Sequence, residues 1–267
     1  MTNSQTSSAP PAPEPEERVE ALCPKHGGYS ARVIPHPFGG KAFVSACPKC
    51  QEDSRIDAER ERVEQARKQR ESRVRVLLGR SGIPVRFHGV TVEGYSADLP
   101  AQRRVRDACQ RYVDGFEGAR QRGGSIVMCG RPGTGKTHPA CAIAESLISQ
   151  HLISAEFFTV LSAIRTIKDT YRKDSERSET DAIDALLSPD LLILDEVGVQ
   201  VGSEHEKMLL FEIINERYQQ CRPTILISNL AADALNDYLG ERIMDRFREC
   251  GGVLAFDWQS HRGKRAA

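Results

Sequence analysis

The sequence predicts an α/β protein in which helices flank a parallel sheet of five strands. Three observations lead to this fold class. From about residue 102 onward, short apolar runs alternate with helical segments, as a parallel sheet with crossover helices requires. A glycine-rich motif at 130–137 directly follows one apolar run, and a second run ends in Asp195-Glu196. We expect a small cysteine-containing module and a linker helix to precede this sheet.

Length and composition restrict the function classes. A chain of 267 residues has room for one sizeable core and an accessory module. Its 37 basic and 37 acidic residues cancel, so any nucleic-acid surface must come from local clusters of charge. No apolar run is long enough to span a bilayer, and the chain start lacks the pattern of a signal peptide. We therefore expect a cytoplasmic protein with no membrane partner.

The N-terminal region predicts a disordered tail and then a zinc module. Residues 1–20 are rich in Ser, Thr, Pro, Ala and Glu and have almost nothing to bury. The block 21–52 holds two knuckles of sequence Cys-Pro-Lys-His and Cys-Pro-Lys-Cys, which supply thiolates and one imidazole for a tetrahedral Zn²⁺. The alternative is a loose tail with reduced cysteines. The predicted zinc ligands are Cys23, His26, Cys47 and Cys50.

The segment 53–78 predicts a helix, because it is dense in Glu, Arg, Gln and Ala and contains neither Gly nor Pro. Its few apolar residues form no long heptad seam, so a coiled coil has little support. A solvated helix that links two modules and a helix that binds a partner both remain open. The sequence Ser-Gly-Ile-Pro at 81–84 ends the helix, so we place the linker at 53–80 and the α/β domain at 81–267.

The α/β domain is divided by its apolar runs and helical segments. A helix precedes the first run, a helix follows each of the first four runs, and a polar loop is expected before the third run, to about residue 182. The predicted strands are 126–129, 155–159, 191–194, 224–228 and 253–256. The predicted helices are 102–119, 136–149, 161–171, 204–220 and 232–250.

The motif Gly-Arg-Pro-Gly-Thr-Gly-Lys-Thr at 130–137 predicts a phosphate-binding loop. Its glycines permit a tight turn whose N–H groups point inward, Lys136 reaches the β- and γ-phosphates, and the Thr137 hydroxyl binds Mg²⁺. The alternative is a glycine-rich surface loop without a ligand. The predicted nucleotide-binding residues are Gly130, Pro132, Gly133, Thr134, Gly135, Lys136, Thr137 and His138.

The apolar run at 191–194 carries two carboxylates to the end of a buried strand, where an open α/β sheet binds its ligands. We expect Asp195 to hold Mg²⁺ and Glu196 to orient and polarise the attacking water. Asn229, at the end of the next strand, is placed to sense the γ-phosphate or the water, or else simply starts a turn. Together these motifs predict ATP and Mg²⁺ as cofactors and hydrolysis as the reaction.

Arg242 and Arg246 lie four residues apart, on one face of a predicted helix. An arginine presented in this way can reach the phosphates of a neighbouring subunit, as an arginine finger does. From the spacing alone, a solvated helix with surface salt bridges is the favoured interpretation.

Several motifs outside the phosphate loop resemble the bacterial replicative helicase loaders of the DnaC type, which are AAA+ ATPases. They are Asp-Glu-Val-Gly-Val-Gln at 195–200, Leu-Gly-Glu-Arg-Ile-Met-Asp-Arg at 239–246 and Phe-Asp-Trp-Gln-Ser-His-Arg at 256–262. The resemblance extends over about 81–262. It implies a protein that assembles head to tail on single-stranded DNA and places a DnaB-type ring helicase there. It also implies that Arg246 is the arginine finger, Arg242 its support, Asn229 sensor 1 and Arg262 the sensor 2 arginine.

Two features depart from this family. Pro139 replaces the usual Leu shortly after the phosphate loop, where it is expected to cost one helix hydrogen bond and to weaken nucleotide binding or hydrolysis. The zinc knuckles are absent from the best-known loader. We therefore transfer no helicase-contact residues.

The predicted DNA-binding residues lie on the helix after the second strand, where basic side chains recur at spacings of three and four. From the residues alone a solvated face is favoured. The resemblance reverses that preference. His138, Trp258 and the remaining cysteines are interpreted as core or loop residues. The predicted DNA contacts are Arg165, Lys168, Tyr171 and Arg172.

These inferences predict an ATP-dependent loader that delivers the replicative DNA helicase onto single-stranded DNA and hydrolyses ATP at subunit interfaces. Two alternatives remain open. One is a transposition helper of the IstB type, which shares the ATPase core. The other is a nucleotide-gated module that binds single-stranded DNA with little turnover.

Overall fold

The computed structural model describes residues 17–198 and 204–261. The chain forms two compact units, Met1–Arg70 and Glu71–Ala267. The boundary between them falls within the predicted linker helix. Within the described ranges, none of the helices combines the length and the apolar character needed to cross a bilayer.

The first unit contains a small antiparallel sheet with the strand order β1-β2-β3. The sequence predicted a disordered tail to residue 20 and no strands in this region. The first strand instead begins at Arg18, because it pairs along its whole length with the second. Gly27, at φ 79°, lets the chain turn between them. The strands are β1 (Arg18–Cys23), β2 (Gly27–Ile34) and β3 (Phe43–Val44).

Helix α1 extends over Pro48–Arg80, so it begins inside the second knuckle rather than at residue 53. Proline suits this first helical position, since its missing N–H would have no partner within the helix. The end at Arg80 agrees with the predicted break at 81–84.

The first unit has almost no apolar core. Among its described residues, only Cys23, Ala31 and Cys47 are buried. Leu22 and Phe38 are 82% and 92% exposed. A unit with so little burial needs another source of stability, such as a bound metal ion.

The second unit contains the predicted parallel sheet of five strands, in the order β5-β6-β7-β4-β8. All five predicted strands are confirmed. The strand that precedes the phosphate loop lies at position four of this order, and one strand separates it from the strand that carries the two acids. The strands are β4 (Ile126–Gly130), β5 (Ala155–Thr159), β6 (Leu191–Val197), β7 (Thr224–Ser228) and β8 (Gly252–Phe256).

Helices cover both faces of this sheet. Alternate residues of each central strand enter two separate cores, as Ile193 and Leu194 do. Helices α2 and α4 pack on one face, and α5, α6, α7 and α9 pack on the other. The helices are α2 (Pro100–Asp114), α3 (Phe116–Gln121), α4 (Thr137–His151), α5 (Val160–Lys168), α6 (Glu179–Leu187), α7 (Glu204–Gln219), α8 (Ala232–Leu239) and α9 (Glu241–Cys250).

The helix predictions need three corrections. Helix α6 occupies part of the predicted polar loop, because Ser178 and Asp181 cap its start reciprocally and Leu186 is buried. The predicted helix 102–119 is divided at Gly115, which caps α2 and begins α3. The predicted helix 232–250 is divided at Gly240, whose φ of 81° ends α8.

Candidate nucleotide-binding site and candidate metal centre

The phosphate loop connects β4 to α4, and its glycines are required by geometry. Gly130 and Gly135 have φ values of 130° and 89°, which side chains with a Cβ rarely adopt. A Cβ on Gly130 would also lie 2.5 Å from the carbonyl oxygen of Phe256. The hydroxyl of Thr134 donates to the carbonyl of Arg131 at 2.8 Å and tightens the turn.

Lys136 is only 5% exposed, and its Nζ lies inside the loop. It donates to the carbonyl oxygens of Gly130 and Arg131, each at 2.8 Å. The loop therefore holds an ammonium group beside the N-terminus of α4, whose free N–H groups attract anions. This combination suits a polyphosphate.

The two nucleotide motifs meet at one point. The Thr137 hydroxyl donates to Oδ2 of Asp195 at 3.0 Å, although 58 positions separate the residues. Burial raises the pKa of the Asp195 carboxyl above its ordinary value. A hydroxyl and a partly buried carboxylate side by side are the oxygen ligands that Mg²⁺ prefers.

Glu196 has an unusual backbone. Its φ of 65° is left-handed, and the pairing of β6 with β7 is irregular between Leu194 and Val197. The Glu196 N–H donates to Oδ1 of Asp195 at 2.7 Å, and its side chain is exposed. Strain of this kind concentrates at functional sites, and here it turns a second carboxylate outward at the end of the strand.

Asn229 follows β7 at the same edge of the sheet. The last residue of β7, Ser228, is in register with Val197 and Cys129 and donates its hydroxyl to the Val197 carbonyl at 2.6 Å. Asn229 is exposed just beyond this point. The edge therefore presents a polar amide in the strand between the lysine loop and the acidic strand.

The segment after β8 supports the phosphate loop, a role the sequence did not predict. Trp258, interpreted as core or loop, donates Nε1–H to the Thr134 carbonyl at 2.9 Å. The His261 N–H donates to the Gly133 carbonyl at 2.9 Å. These contacts tie the carbonyls of Gly133 and Thr134 to the segment after β8. Arg262, the predicted sensor 2 arginine, lies outside the described residues.

Pro139 does not have the predicted cost. It is the third residue of α4, and a residue there would donate to the carbonyl of residue 135, before the helix begins. The first-turn N–H groups have no partner within the helix, so Pro139 removes no helix hydrogen bond. Its ring is buried against the core.

Arg246 lies at the opposite edge of the sheet from the phosphate loop. It shares a small cavity with Ser125 and Thr224, at the N-terminal ends of β4 and β7. Its Nη1 donates to Oδ1 of Asn215, and its guanidinium lies 4.8 Å from the ring centre of Tyr218. It cannot reach the phosphate loop of its own chain.

The predicted DNA-binding residues are all exposed. Two of them contact acids: Lys168 lies 2.6 Å from Glu206, and the Tyr171 hydroxyl donates to Glu179 at 2.9 Å. The spacing predicted that Arg172 lies on the same helix as Arg165, and this prediction is wrong. Helix α5 ends at Lys168, the 3-10 turn Asp169–Tyr171 follows, and Arg172 is extended. Arg165, also exposed, remains on α5.

The four predicted zinc ligands converge in the first unit. Their ligand atoms all lie within 4.8 Å of one another. His26 Nδ1 is 3.7, 3.7 and 3.4 Å from the three sulfur atoms, and two sulfurs are 3.4 Å apart. Ligands of a tetrahedral zinc stand about 3.4–3.8 Å apart, given Zn–S of ~2.3 Å and Zn–N of ~2.0 Å. The cluster can therefore hold a metal ion of this kind.

Backbone N–H groups of the first knuckle and the carboxylate of Asp53 act on the ligands of this cluster. The backbone N–H groups of Lys25 and His26, Lys25 above all, lower the pKa of Cys23 to about 6. Asp53 Oδ2 lies 3.2 Å from Nε2 of His26 and leaves Nδ1 for the metal, as carboxylates beside metal-binding histidines commonly do. Asp53 was not predicted, because α1 alone brings it near the knuckles.

Fold and site together define a class. A layered α/β/α unit joins a glycine-rich loop with a buried lysine to a strand ending in two acids, and the two motifs meet at one edge of a parallel sheet. This is the architecture of a P-loop nucleotide-binding protein of the AAA+ type.

Comparison with known proteins gives the family. The model of the IstB-like ATP-binding proteins matches residues 63–266. The chain belongs to this DnaC/IstB-like family of AAA+ proteins. It is 36% identical over 187 residues to the replicative helicase loader DnaC of Buchnera aphidicola subsp. Schizaphis graminum, covering 70% of this chain and 74% of that protein. Identity to DnaC of Escherichia coli K12 is 33% over 199 residues, 74% and 79% of the two chains.

Solved structures share the fold. A crystal structure of the DnaC helicase loader superimposes with a TM-score of 0.59 at 23% identity, over 65% of this chain and 100% of that one. A crystal structure of DnaI superimposes with a TM-score of 0.56 at 20% identity, over 66% of this chain and 95% of that one. The family match begins at residue 63, so the four cysteine and histidine ligands lie outside it.

Proposed function

We propose that this protein is an ATP-dependent loader that delivers a replicative ring helicase of the DnaB type onto single-stranded DNA. The observation that carries the proposal is the contact between Thr137 and Asp195, which assembles a nucleotide site in a chain 33–36% identical to named helicase loaders. Loading would use the energy of ATP, and this site supplies a lysine, a candidate Mg²⁺ site and a candidate base for its hydrolysis.

Each group has a defined task in this mechanism. The loop N–H groups and Lys136 bind the phosphates. Thr137 and Asp195 would hold Mg²⁺, which would neutralise the charge that develops on the phosphates. Glu196 orients the attacking water and accepts its proton, a task for which its outward carboxylate is suited. Asn229, at the end of β7, would contact the γ-phosphate or the attacking water and so sense whether the γ-phosphate is present.

In this mechanism the arginine that acts on the γ-phosphate comes from a neighbouring subunit. Arg246 lies at the far edge of its own sheet, so head-to-tail packing would bring it to the next protomer's γ-phosphate. Arg242, exposed one turn earlier on α9, would line the same interface. Turnover then depends on assembly, which couples hydrolysis to the helicase-bound state.

Single-stranded DNA would be bound by exposed basic residues at and beyond the end of α5. Arg165 and Arg172 supply positive charge, and Tyr171 offers a ring for stacking. Lys168 would have to exchange its Glu206 partner for phosphate. Because these contacts are electrostatic, affinity should fall steeply with salt.

The first unit would be closed by one structural Zn²⁺ held by Cys23, His26, Cys47 and Cys50. Four protein ligands leave no open position, so the ion would stabilise rather than catalyse. Elemental analysis of freshly purified protein should find one zinc per chain. A metal content near zero, or full retention of the ion in a Cys47→Ser, Cys50→Ser variant, would remove this assignment.

The loading function is tested by reconstitution with purified replicative helicase on single-stranded DNA coated with binding protein. Lys136→Ala should bind ATP at least tenfold more weakly and load no helicase, since the phosphate cation is gone. Lys207→Ala, which removes a half-buried lysine of α7 outside the nucleotide motifs, should load normally. Equal loading by both variants would contradict the nucleotide mechanism.

A second candidate is a transposition helper, because the matching family model is that of IstB-like proteins. Both functions share the ATPase core and differ in the partner. Parallel capture with a replicative helicase and with a transposase separates them. ATP binding without turnover, with or without single-stranded DNA, would instead favour a nucleotide-gated DNA-binding module.

A further inference from the structure

Two buried polar atoms near the phosphate loop lack hydrogen-bond partners among the described residues. They are the Tyr95 hydroxyl and Nε2 of His138. Tyr95 is 5% exposed, and its ring centre lies 5.6 Å from that of His138. A buried hydroxyl without a partner is destabilising, so the chain is less stable than it would be with apolar side chains here.

This pair lies against the phosphate loop. A Cβ built on Gly135 would be 3.7 Å from the Tyr95 ring edge and 4.0 Å from its hydroxyl oxygen. The same position is 3.7 Å from the ring of His261, the residue that donates its N–H to the Gly133 carbonyl. The unpartnered atoms therefore belong to the wall beside the nucleotide-binding turn.

His138 presents an acceptor at this wall. The backbone of Thr91 accepts a hydrogen bond from its ring, and Nε2 is the nitrogen without a partner, so Nδ1 carries the proton. Burial lowers the pKa of His138, which keeps the ring neutral at physiological pH. The Tyr95 hydroxyl can donate or accept, whereas His138 Nε2 can only accept.

We propose that Tyr95 and His138 read the edge of the nucleotide base and select adenine. The proposal rests on the nucleotide site described above and names what that site recognises besides phosphate. The exocyclic amino group of adenine donates to His138 Nε2, and an adjacent ring nitrogen accepts from the Tyr95 hydroxyl. Both orphaned atoms then gain partners.

The same pair rejects guanine. Guanine carries the acceptor O6 where adenine carries its amino group. O6 would face the lone pair of His138 Nε2, and neither atom could donate. Sites built to form a hydrogen bond discriminate strongly against analogues that leave buried polar groups unpaired.

The test compares ATP, GTP and inorganic tripolyphosphate by calorimetry. The parent protein should bind ATP about tenfold or more tightly than GTP. Tyr95→Phe and His138→Leu should each weaken ATP binding about three- to tenfold and narrow the preference over GTP. Tripolyphosphate, which has no base, should bind all three proteins equally.

Thermal unfolding without nucleotide provides a second readout. Tyr95→Phe should unfold at an equal or higher temperature than the parent, because it removes an unpartnered buried hydroxyl. Tyr112→Phe is the matched control: its hydroxyl donates to the Gly124 carbonyl at 2.7 Å, so its loss should lower the unfolding temperature.

The possible results distinguish a failure of base recognition from a failure of the proposed function. Equal affinity for ATP and GTP, with tripolyphosphate still bound, would overturn base reading and leave the phosphate site intact. Unchanged ATP affinity in both variants would also overturn base reading. No binding of ATP or tripolyphosphate by the parent protein would overturn both this inference and the proposed function.

Discussion

Glu196 combines strain with exposure, which separates it from an ordinary surface glutamate. Its left-handed φ costs about 1–3 kcal/mol, and no buried contact of its own side chain offsets that cost. The neighbouring Asp195 accepts from its N–H and helps to hold this conformation. A chain retains such a conformation where the position of the carboxylate is needed for chemistry.

Glu196→Gln should therefore separate binding from hydrolysis. The amide keeps the size and the backbone conformation but cannot accept a proton, so ATP affinity should change by less than about twofold while turnover falls about 10²- to 10⁴-fold. Nucleotide binding and phosphate release are the measurements. Glu117→Gln, an exposed glutamate on α3, serves as the control. A variant that still hydrolyses ATP at the parental rate would show that Glu196 is not the base.

Asp195 gives a prediction for pH dependence. Its raised pKa means that the folded chain binds this proton more tightly than the unfolded chain does. Its destabilising effect is therefore fully present above the folded-state pKa and disappears as the pH falls below the ordinary value of 3.8.

Asp195→Asn should accordingly raise the free energy of unfolding of the nucleotide-free protein at pH 8, while Mg²⁺-dependent ATP binding is lost. The gain over the parent should shrink as the pH is lowered towards 4, because the parent carboxyl becomes protonated and neutral. Denaturant unfolding across this range measures the difference. A gain that stays constant with pH would show that charge burial at Asp195 is not its source.

Among individual residues, the sequence predicted those that belong to a short local motif. Lys136, Thr137 and Asp195 follow from spacing, and the structure brings them together. Trp258 and Tyr95 were missed as site residues because their contacts to the loop span long separations, 124 positions for Trp258 and Thr134. No local pattern of hydrophobicity encodes such a contact.

Arg217 connects several elements of the second unit. It is fully buried in α7, and its guanidinium makes five hydrogen bonds. Its acceptors are the carbonyl oxygens of Leu186, Leu187, Pro189 and Pro223 and the hydroxyl of Thr224. Burial lowers the pKa of Arg217 to about 9, so it still carries its charge at neutral pH. It satisfies the C-terminal carbonyls of α6 and joins that helix to β7.

Arg217→Met should lower the free energy of unfolding by about 3–5 kcal/mol, since it leaves buried carbonyls without donors. Arg217→Lys should lower the free energy of unfolding by a smaller amount than Arg217→Met, because it keeps the charge but not the five-donor geometry. Urea unfolding is the measurement. Arg103→Met is the matched control, since Arg103 also donates to two backbone carbonyls but is exposed. A similar small loss for Arg217→Met and Arg103→Met would contradict this account.

The elements that the sequence predicted and those that it missed differ in physical origin. The three central strands β4, β6 and β7 carry apolar runs that are buried on both faces, a pattern with few alternatives. Strands β1 to β3 bury almost nothing, so no periodicity marked them. Helix α6 was hidden by its polar surface, although the Ser178–Asp181 capping box was available as a signal.

At the scale of the whole molecule, the two halves of the proposed catalytic site lie at opposite edges of one sheet. The lysine loop and Asp195 lie at the C-terminal ends of the strands, and Arg246 lies at the N-terminal ends. In the proposed mechanism such a subunit does not complete its own site. A heterologous, head-to-tail contact would supply the missing arginine at each interface.

This arrangement predicts complementation between two inactive variants. Lys136→Ala lacks the phosphate cation but keeps Arg246, and Arg246→Ala has the reverse defect. In an equimolar mixture that assembles at random, about one quarter of the head-to-tail interfaces pair an intact loop with an intact arginine, so ATPase activity should recover to about that fraction of the parental rate. Arg246 also packs on Tyr218, so each variant must first show a parental unfolding temperature. A mixture as inactive as its components, although both variants fold and assemble, would mean that Arg246 does not act across the interface.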